Sequence, residues 1–171
     1  MITINKAKET DSEVLALLGN ITYTESHSHF IDNKNDLMKY NENAFSISKT
    51  KKDIKDPKNT FYILYKDDLP IGYAKLVLKS TNENVASENN CQLERIYILN
   101  DFIPLKIGQQ FLIFLENQAK ELQLNTIWLS VYGKNIRAIR FYHRNKYNEV
   151  GESTFLVNGK KYRNKVFSKT F

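Results

Sequence analysis

Between Cys91 and Tyr142 an apolar strand, a short loop with one glycine, a long helical pattern, a second apolar strand and an Asn-headed helical pattern follow in order. The loop Ile103-Pro104-Leu105-Lys106-Ile107-Gly108-Gln109-Gln110 leads into a helix N-terminus. There, unpaired backbone N–H groups and the positive end of the helix dipole bind a phosphate without needing a particular side chain. Gly108 allows close backbone approach and Lys106 adds a charge that can reach a phosphate, while Pro104 removes a donor. A lone glycine is equally consistent with a plain tight turn. Asn135 heads the run Asn135-Ile136-Arg137-Ala138-Ile139-Arg140-Phe141-Tyr142, and as an N-cap it need only accept from the amide of Arg137 or Ala138. Taken together, this order reads as a cradle for a nucleotide-bearing cofactor.

Two further side chains could move protons. Tyr142 carries a phenol whose ordinary pKa of about 10 keeps it protonated at neutral pH and able to donate; the alternative is an aromatic on the buried side of a helix. Glu94 shares a strand face with Ile96 and Ile98 by the two-residue period, so it could accept a proton, directly or through water, or simply pair with a cation. A third cluster, Thr22 to Phe30, holds Tyr23, Glu25, His27, His29 and Phe30. Histidines two apart on a helix do not face each other and a third convincing ligand is missing, so no metal site is expected.

These residues require a scaffold. Ile2 to Ala7 alternates enough for a first strand, and Thr10-Asp11-Ser12-Glu13 has the capping-box pattern ahead of a helix carrying Val14, Leu15, Leu17, Leu18 and Ile21. A second helix starts near Asn35 or Asp36, with Leu37, Tyr40, Ala44 and Ile47 on one stripe, and helix continues to about Asp56. Phe61–Tyr65 and Ile71–Leu78 form an antiparallel hairpin with Gly72 at a bulge, and a polar loop spans Ser80 to Asn90. The strand from Leu93 to Leu99 and the nearly continuous apolar strand from Thr126 to Val131 flank a crossover helix, so they should be parallel. That helix presents Ile107, Phe111, Leu115, Ala119 and Leu122, flanked by Leu112 and Phe114. Asn158-Gly159 predicts a terminal hairpin with a type I′ turn.

The run Asn135-x-x-Ala138-x-x-Phe141-Tyr142 closely resembles the Asn-x-x-Ala-x-x-Phe-Tyr motif of the GNAT superfamily of acyl-CoA-dependent N-acetyltransferases, and the strand–loop–helix–strand order before it is similar. The family's glycine loop, Arg or Gln, two residues, Gly, one residue, Gly or Ala, matches here only at Gly108; Ile103 and Lys106 stand at the other two places. Lys146-Tyr147 stands where the family has Gly-Phe. The resemblance implies an α/β fold with a mixed, strongly twisted sheet splayed between two parallel central strands and flanked by helices. It implies acetyl-CoA as the acetyl donor, held by the strand Ile96-Tyr97-Ile98, the loop Lys106-Ile107-Gly108-Gln109-Gln110, and Asn135, Arg137 and Ala138. It makes Tyr142 the acid that protonates the departing thiolate and Glu94 the group assisting the attacking amine. Tyr23-Thr24-Glu25 with Phe30, followed by Tyr40 to Phe45, looks like the PaiA-type polyamine acetyltransferases, which implies an acceptor pocket at Tyr23, Glu25, His27 and Phe30 and a polyamine or similar primary amine as substrate. A protein or peptide N-acetyltransferase and a non-catalytic acyl-CoA sensor remain the alternatives.

Length and composition fit this class. A chain of 171 residues with 42% hydrophobic residues is long enough for one domain with a real core. The net charge of +6 favours anionic partners, yet the cations are scattered and no helix-turn-helix, RNA-recognition or zinc pattern is present, so a nucleic-acid partner is not expected. One cysteine, Cys91, excludes an internal disulfide framework. No apolar run nears the roughly 20 residues a bilayer requires, so a cytoplasmic protein with no membrane partner is expected, its state as monomer or homodimer left open.

Overall fold

The computed structural model describes all residues from Met1 to Phe171. Seven strands make one sheet: β1 (Ile2–Lys6), β2 (Asn59–Lys66), β3 (Leu69–Leu78), β4 (Asn90–Ile98), β5 (Thr126–Tyr132), β6 (Asn148–Val157) and β7 (Lys160–Thr170). Their spatial order is β1-β2-β3-β4-β5-β7-β6, antiparallel everywhere except between β4 and β5. This is the α/β arrangement expected of a chain whose β4 and β5 are joined by a crossover helix.

Helices α1 (Ser12–His27), α2 (Lys34–Ala44) and α3 (Ile47–Lys55) lie on one face, and α4 (Gly108–Glu121) and α5 (Ile136–Arg144) on the other. The alternation of β2 shows why. Phe61 and Ile63 pack on Leu15 and Leu18 of α1, while Tyr62 and Leu64 join Phe111, Leu112 and Leu115 of α4 in the larger core. Burial of those three α4 side chains is complete, and removing any one to alanine would cost about 2–5 kcal/mol.

Several local expectations are corrected. The capping box sits two residues earlier: the Asp11 carboxylate accepts from the Lys8 amide across a short 3-10 turn, and Glu13 takes no part. Leu17 and Ile21 on α1, Ile47, and Leu122 beyond α4 are exposed, because each lies off the narrower stripe its helix buries. Ser46 caps a separate α3 by accepting from the Lys49 amide, which interrupts the single helix expected there. Both hairpin turns are built from left-handed residues, Asp67 and Asp68 in one, Asn158 and Gly159 in the other.

Two bulges shape the centre. Ile71 has no partner in β2, and the adjacent Gly72 lies so close to β4 that an added Cβ would stand 2.5 Å from the Tyr97 carbonyl oxygen. Glu94 is the extra residue of β4, between the pairs Lys75–Arg95 and Leu76–Leu93. Just before it, pairing with β5 stops: only Asn90, Cys91 and Gln92 face Thr126, Ile127 and Trp128. A bulge sharpens strand twist, and from this point β4 and β5 diverge while β5 keeps its ladder with β7.

Candidate active site

The divergence of β4 and β5 opens a cavity of about 1090 Å³ that reaches both faces of the sheet. Its walls are the facing edges of Leu93–Ile98 and Leu129–Tyr132. Neither edge finds a partner across the gap, so both offer backbone N–H and C=O groups to an extended ligand, as an open sheet edge offers them to an added strand.

On the α4–α5 side the lining is that of an anion site. Lys106, Gly108 and Gln109 contribute from the start of α4, and Asn135, Arg137, Ala138 and Arg144 from α5 and its cap. The first-turn amides of α4 have no partner within the helix. An added Cβ on Gly108 would stand 3.8 Å from Ile98 and 3.9 Å from Phe141, so its bare backbone leaves the space between them open. Lys106 adopts a left-handed backbone with φ 57°, the conformation that glycine takes freely. The same is true of Lys146, at φ 64°, where the chain leaves α5: the Lys146 amide donates to the His143 carbonyl and the Tyr147 amide to the Tyr142 carbonyl, the closing bonds of a helix C-terminus. The turns of the glycine-bearing pattern are therefore kept, with lysine at about 1–2 kcal/mol of conformational cost at each.

Asn135 performs its capping role, accepting from the Ala138 amide at 3.1 Å, while it also lines the cavity. Ile107 and Gln110 stand apart from the other expected cofactor contacts: the Ile107 side chain is buried in the core, and Gln110 is exposed outside the lining. Tyr142 is on the cavity wall, its ring packed edge-on against Tyr147 and tilted over Phe167. Burial pushes its phenol well above the ordinary range, so it is protonated at any physiological pH.

Glu94 also lines the cavity, on the opposite side from that expected. Because the bulge consumes one residue, Leu93, Ile96 and Ile98 share the α4 face, while Arg95, Tyr97 and Leu99 face α1. The Glu94 carboxylate turns toward this second face and meets Lys75 at 2.7 Å and Arg95 at 3.7 Å, both through Oε2. A strict two-residue alternation cannot anticipate this, since the bulge depends on pairing with β3.

The α1–α2 side is aromatic. Tyr23 stacks on His27 at 4.0 Å and on Tyr40 at 4.6 Å, and Phe30 meets Tyr132 edge-on at 5.0 Å. Tyr23, His27, Phe30 and Tyr40 line the cavity, joined by Phe155 and Tyr162 from the terminal hairpin, which sequence reasoning did not assign to the site. A hairpin distant in sequence gives no periodic signal that its outer end closes a cavity wall. Glu25, expected here to attract the substrate, does not line it: its carboxylate accepts from the Asn100 amide at 2.9 Å, tying the end of α1 to the turn after β4. Glu25→Ala should therefore lower stability by about 1 kcal/mol in denaturant titrations and leave amine KM unchanged. No three carboxylate, imidazole or thiol groups are grouped to hold a metal.

Burial lowers the pKa of His27 from its ordinary 6.5 to about 4. The unfolded chain then binds the proton more readily than the folded one, so stability is greatest above pH 6.5 and declines as the pH falls toward 4. With allowance for partial exposure, the loss should be roughly 2 kcal/mol, read as a steeper acid limb in the wild type than in His27→Asn.

A splayed parallel pair, a cradle of helix amides beside it and a phenol on the wall are what acetyl transfer from a pantetheine thioester requires. Residues 23–147 match the model of the acetyltransferase (GNAT) family. The chain belongs to that family. Over 122 residues, 71% of this chain and 70% of the relative, it is 28% identical to an uncharacterized N-acetyltransferase in the pepI 3′ region of Lactobacillus delbrueckii subsp. lactis. The fold overlaps the PaiA N-acetyltransferase of Thermoplasma acidophilum, solved in complex with coenzyme A, with TM-score 0.77 and 19% identity over 100% of this chain and 99% of that one. It also overlaps mutant forms of the spermidine/spermine N-acetyltransferase SpeG of Vibrio cholerae, with TM-score 0.68 and 17% identity over 99% and 95% of the two chains. The chain is thus an N-acetyltransferase that uses acetyl-CoA, and the residues of its cavity fit that donor: open strand edges for the pantetheine amides and unpaired α4 amides with Lys106 and Arg137 for the phosphates. No helix is long and apolar enough to cross a membrane.

Proposed function

We propose that this acetyltransferase transfers the acetyl group directly to a small primary amine in a ternary complex. One observation carries the reading: Tyr142 and Glu94 line a single cavity that passes through the sheet, Tyr142 from the α5 side and Glu94 facing the aromatic side. Donor and acceptor can then approach from opposite faces and meet between them.

Acetyl-CoA supplies an activated acyl group. The amine nitrogen forms the new C–N bond, the C–S bond breaks with its electrons on sulfur, one proton leaves nitrogen and one reaches sulfur. Tyr142 is suited to the second proton, because its buried phenol is always protonated and ready to donate. Glu94 is suited to the first. Oε2 is held by Lys75, which leaves Oε1 to orient the amine or a water that takes its proton. Cys91 is fully buried and its thiol is pushed up to about 12, so it is poorly suited to carry the acetyl group.

A polyamine acceptor is supported by the overlap with the folds of PaiA and SpeG. Against it, Glu94 is the one carboxylate among the lining residues, and it is already paired.

Acetyl-CoA at about 100-fold excess over its Kd should add roughly 2.7 kcal/mol to stability, a rise of about 5–10 °C in Tm for a chain of this size. NADH and ATP should give none. Absence of a shift with acetyl-CoA at millimolar concentration would refute the assigned donor site, whereas a shift without CoA release from any amine would favour an acyl-CoA sensor.

A further inference from the structure

We infer that the acceptor is an apolar α-amino acid, an amine bearing its own carboxylate, and that Arg95 is the residue that selects it. The inference rests on the transferase reading above and names the substrate class of the same site.

Arg95 projects from β4 into the acceptor half of the cavity with its side chain 16% exposed, its guanidinium carbon 4.7 Å from the centre of the Phe45 ring. Its one ion-pair contact is the long 3.7 Å approach of Nε to Glu94 Oε2, an oxygen already bonded to Lys75. A guanidinium offers five N–H donors in a rigid fork matched to a carboxylate, and here no carboxylate spans the fork. Lys75 and Arg95 are linked to Asp53 and Glu94 in one network, which the half-exposed Lys49 joins from its outer edge through Asp53. Beside Arg95 the Tyr73 hydroxyl is buried and offers a neutral oxygen, so no further carboxylate stands against the guanidinium.

A largely buried guanidinium on a cavity wall, with its one ion-pair contact 3.7 Å long, is suited to take an anion. A polycation would instead meet Arg95 on the wall, where the one lining carboxylate, Glu94, is already bonded to Lys75. A zwitterion suits both groups: its amine lies at Glu94 Oε1, its carboxylate on the Arg95 fork. The stacked faces of Tyr23, His27 and Tyr40, with Phe155 edge-on to Tyr40 at 5.6 Å, make an apolar wall for the substrate's side chain.

The test measures kcat/KM by CoA release for L-phenylalanine, L-leucine, L-methionine and L-tryptophan, each against its α-amide, with phenethylamine and spermidine alongside. Calorimetry with acetyl-CoA is run on every protein. The free acid should exceed its amide by about 10- to 100-fold for at least one side chain, the scale of a charge-assisted bidentate contact. That ratio should collapse to within about threefold in Arg95→Gln through a raised KM for the acid, and be partly kept in Arg95→Lys. Equal use of acid and amide by the wild type, preference for spermidine, or an unchanged ratio in Arg95→Gln would overturn the inference while leaving the transferase intact. The wild-type comparison decides even if Arg95→Gln does not fold. Turnover of none of these acceptors overturns it too, and the calorimetry then reports whether the donor site falls with it.

Discussion

Replacing Tyr142 by phenylalanine is expected to slow single-turnover acetyl transfer by roughly 10²-fold or more, with acetyl-CoA affinity nearly unchanged. The substitution removes one hydroxyl from the cavity wall. It keeps the ring, which packs with Tyr147 and Phe167 and anchors α5 to the core. Stability should move by less than about 0.5 kcal/mol, since burial is the one cause acting on this phenol and no charged group leans on it. Single-turnover measurement is required because slow product release would mask the chemical step in kcat. Burial raises the phenol's pKa, so the rate attributable to Tyr142 should show no loss up to pH 10. An unchanged rate in the variant would reduce Tyr142 to a core aromatic and move the proton donor elsewhere on the cavity wall.

The second large effect is expected at the start of α4. Gly108→Val should weaken acetyl-CoA binding by about 10-fold or more, the cost of losing one or two charge-assisted contacts between helix amides and phosphate. Gly108 does not have a positive φ, and an added Cβ would meet only ordinary contacts at 3.8 and 3.9 Å. The fold should therefore accept valine, with a change in Tm of a few degrees at most. The added methyls would instead occupy the gap between Ile98 and Phe141, over the unpaired amides. Calorimetry of both proteins with acetyl-CoA and with CoA checks this. If the two affinities match, the phosphates lie away from the α4 N-terminus. By contrast, Gly72→Ala would press a methyl within 2.5 Å of the Tyr97 carbonyl, so its effect would be on folding and would say nothing about donor binding.

Both predictions concern residues that the sequence marked. Asn135 was legible as a cap from local geometry, whereas Tyr142 was marked by the likeness of Asn135-x-x-Ala138-x-x-Phe141-Tyr142 to the family's motif; both line the cavity. Gly108 was legible because a helix N-terminus presents its amides whatever the tertiary context. The crossover from β4 through α4 to β5 was legible too, since parallel strands need a long connection and α4 carries an unmistakable buried stripe at Phe111, Leu112, Leu115 and Ala119.

Residues whose roles depend on distant partners were a different matter. Glu94 was assigned to the wrong face because one extra residue in β4 reverses the alternation, and that bulge exists only through register with β3. Glu25 had the look of a substrate carboxylate until its hydrogen bond to Asn100 placed it in the scaffold. Arg95 gave no signal in a chain with 25 basic residues; only its burial beside Glu94 and over Phe45 separates it from the solvated ones. Phe155 and Tyr162 reach the cavity because β7 pairs with β5 and brings the last hairpin across the sheet. Sequence alone thus determined the order of elements, the helix N-terminus at Gly108 and the Asn135 cap, all set by contacts within a few residues along the chain. Tertiary structure decided the splay, the bulge and the charge balance of the acceptor half, because each is the sum of contacts between strands and helices that lie far apart in sequence.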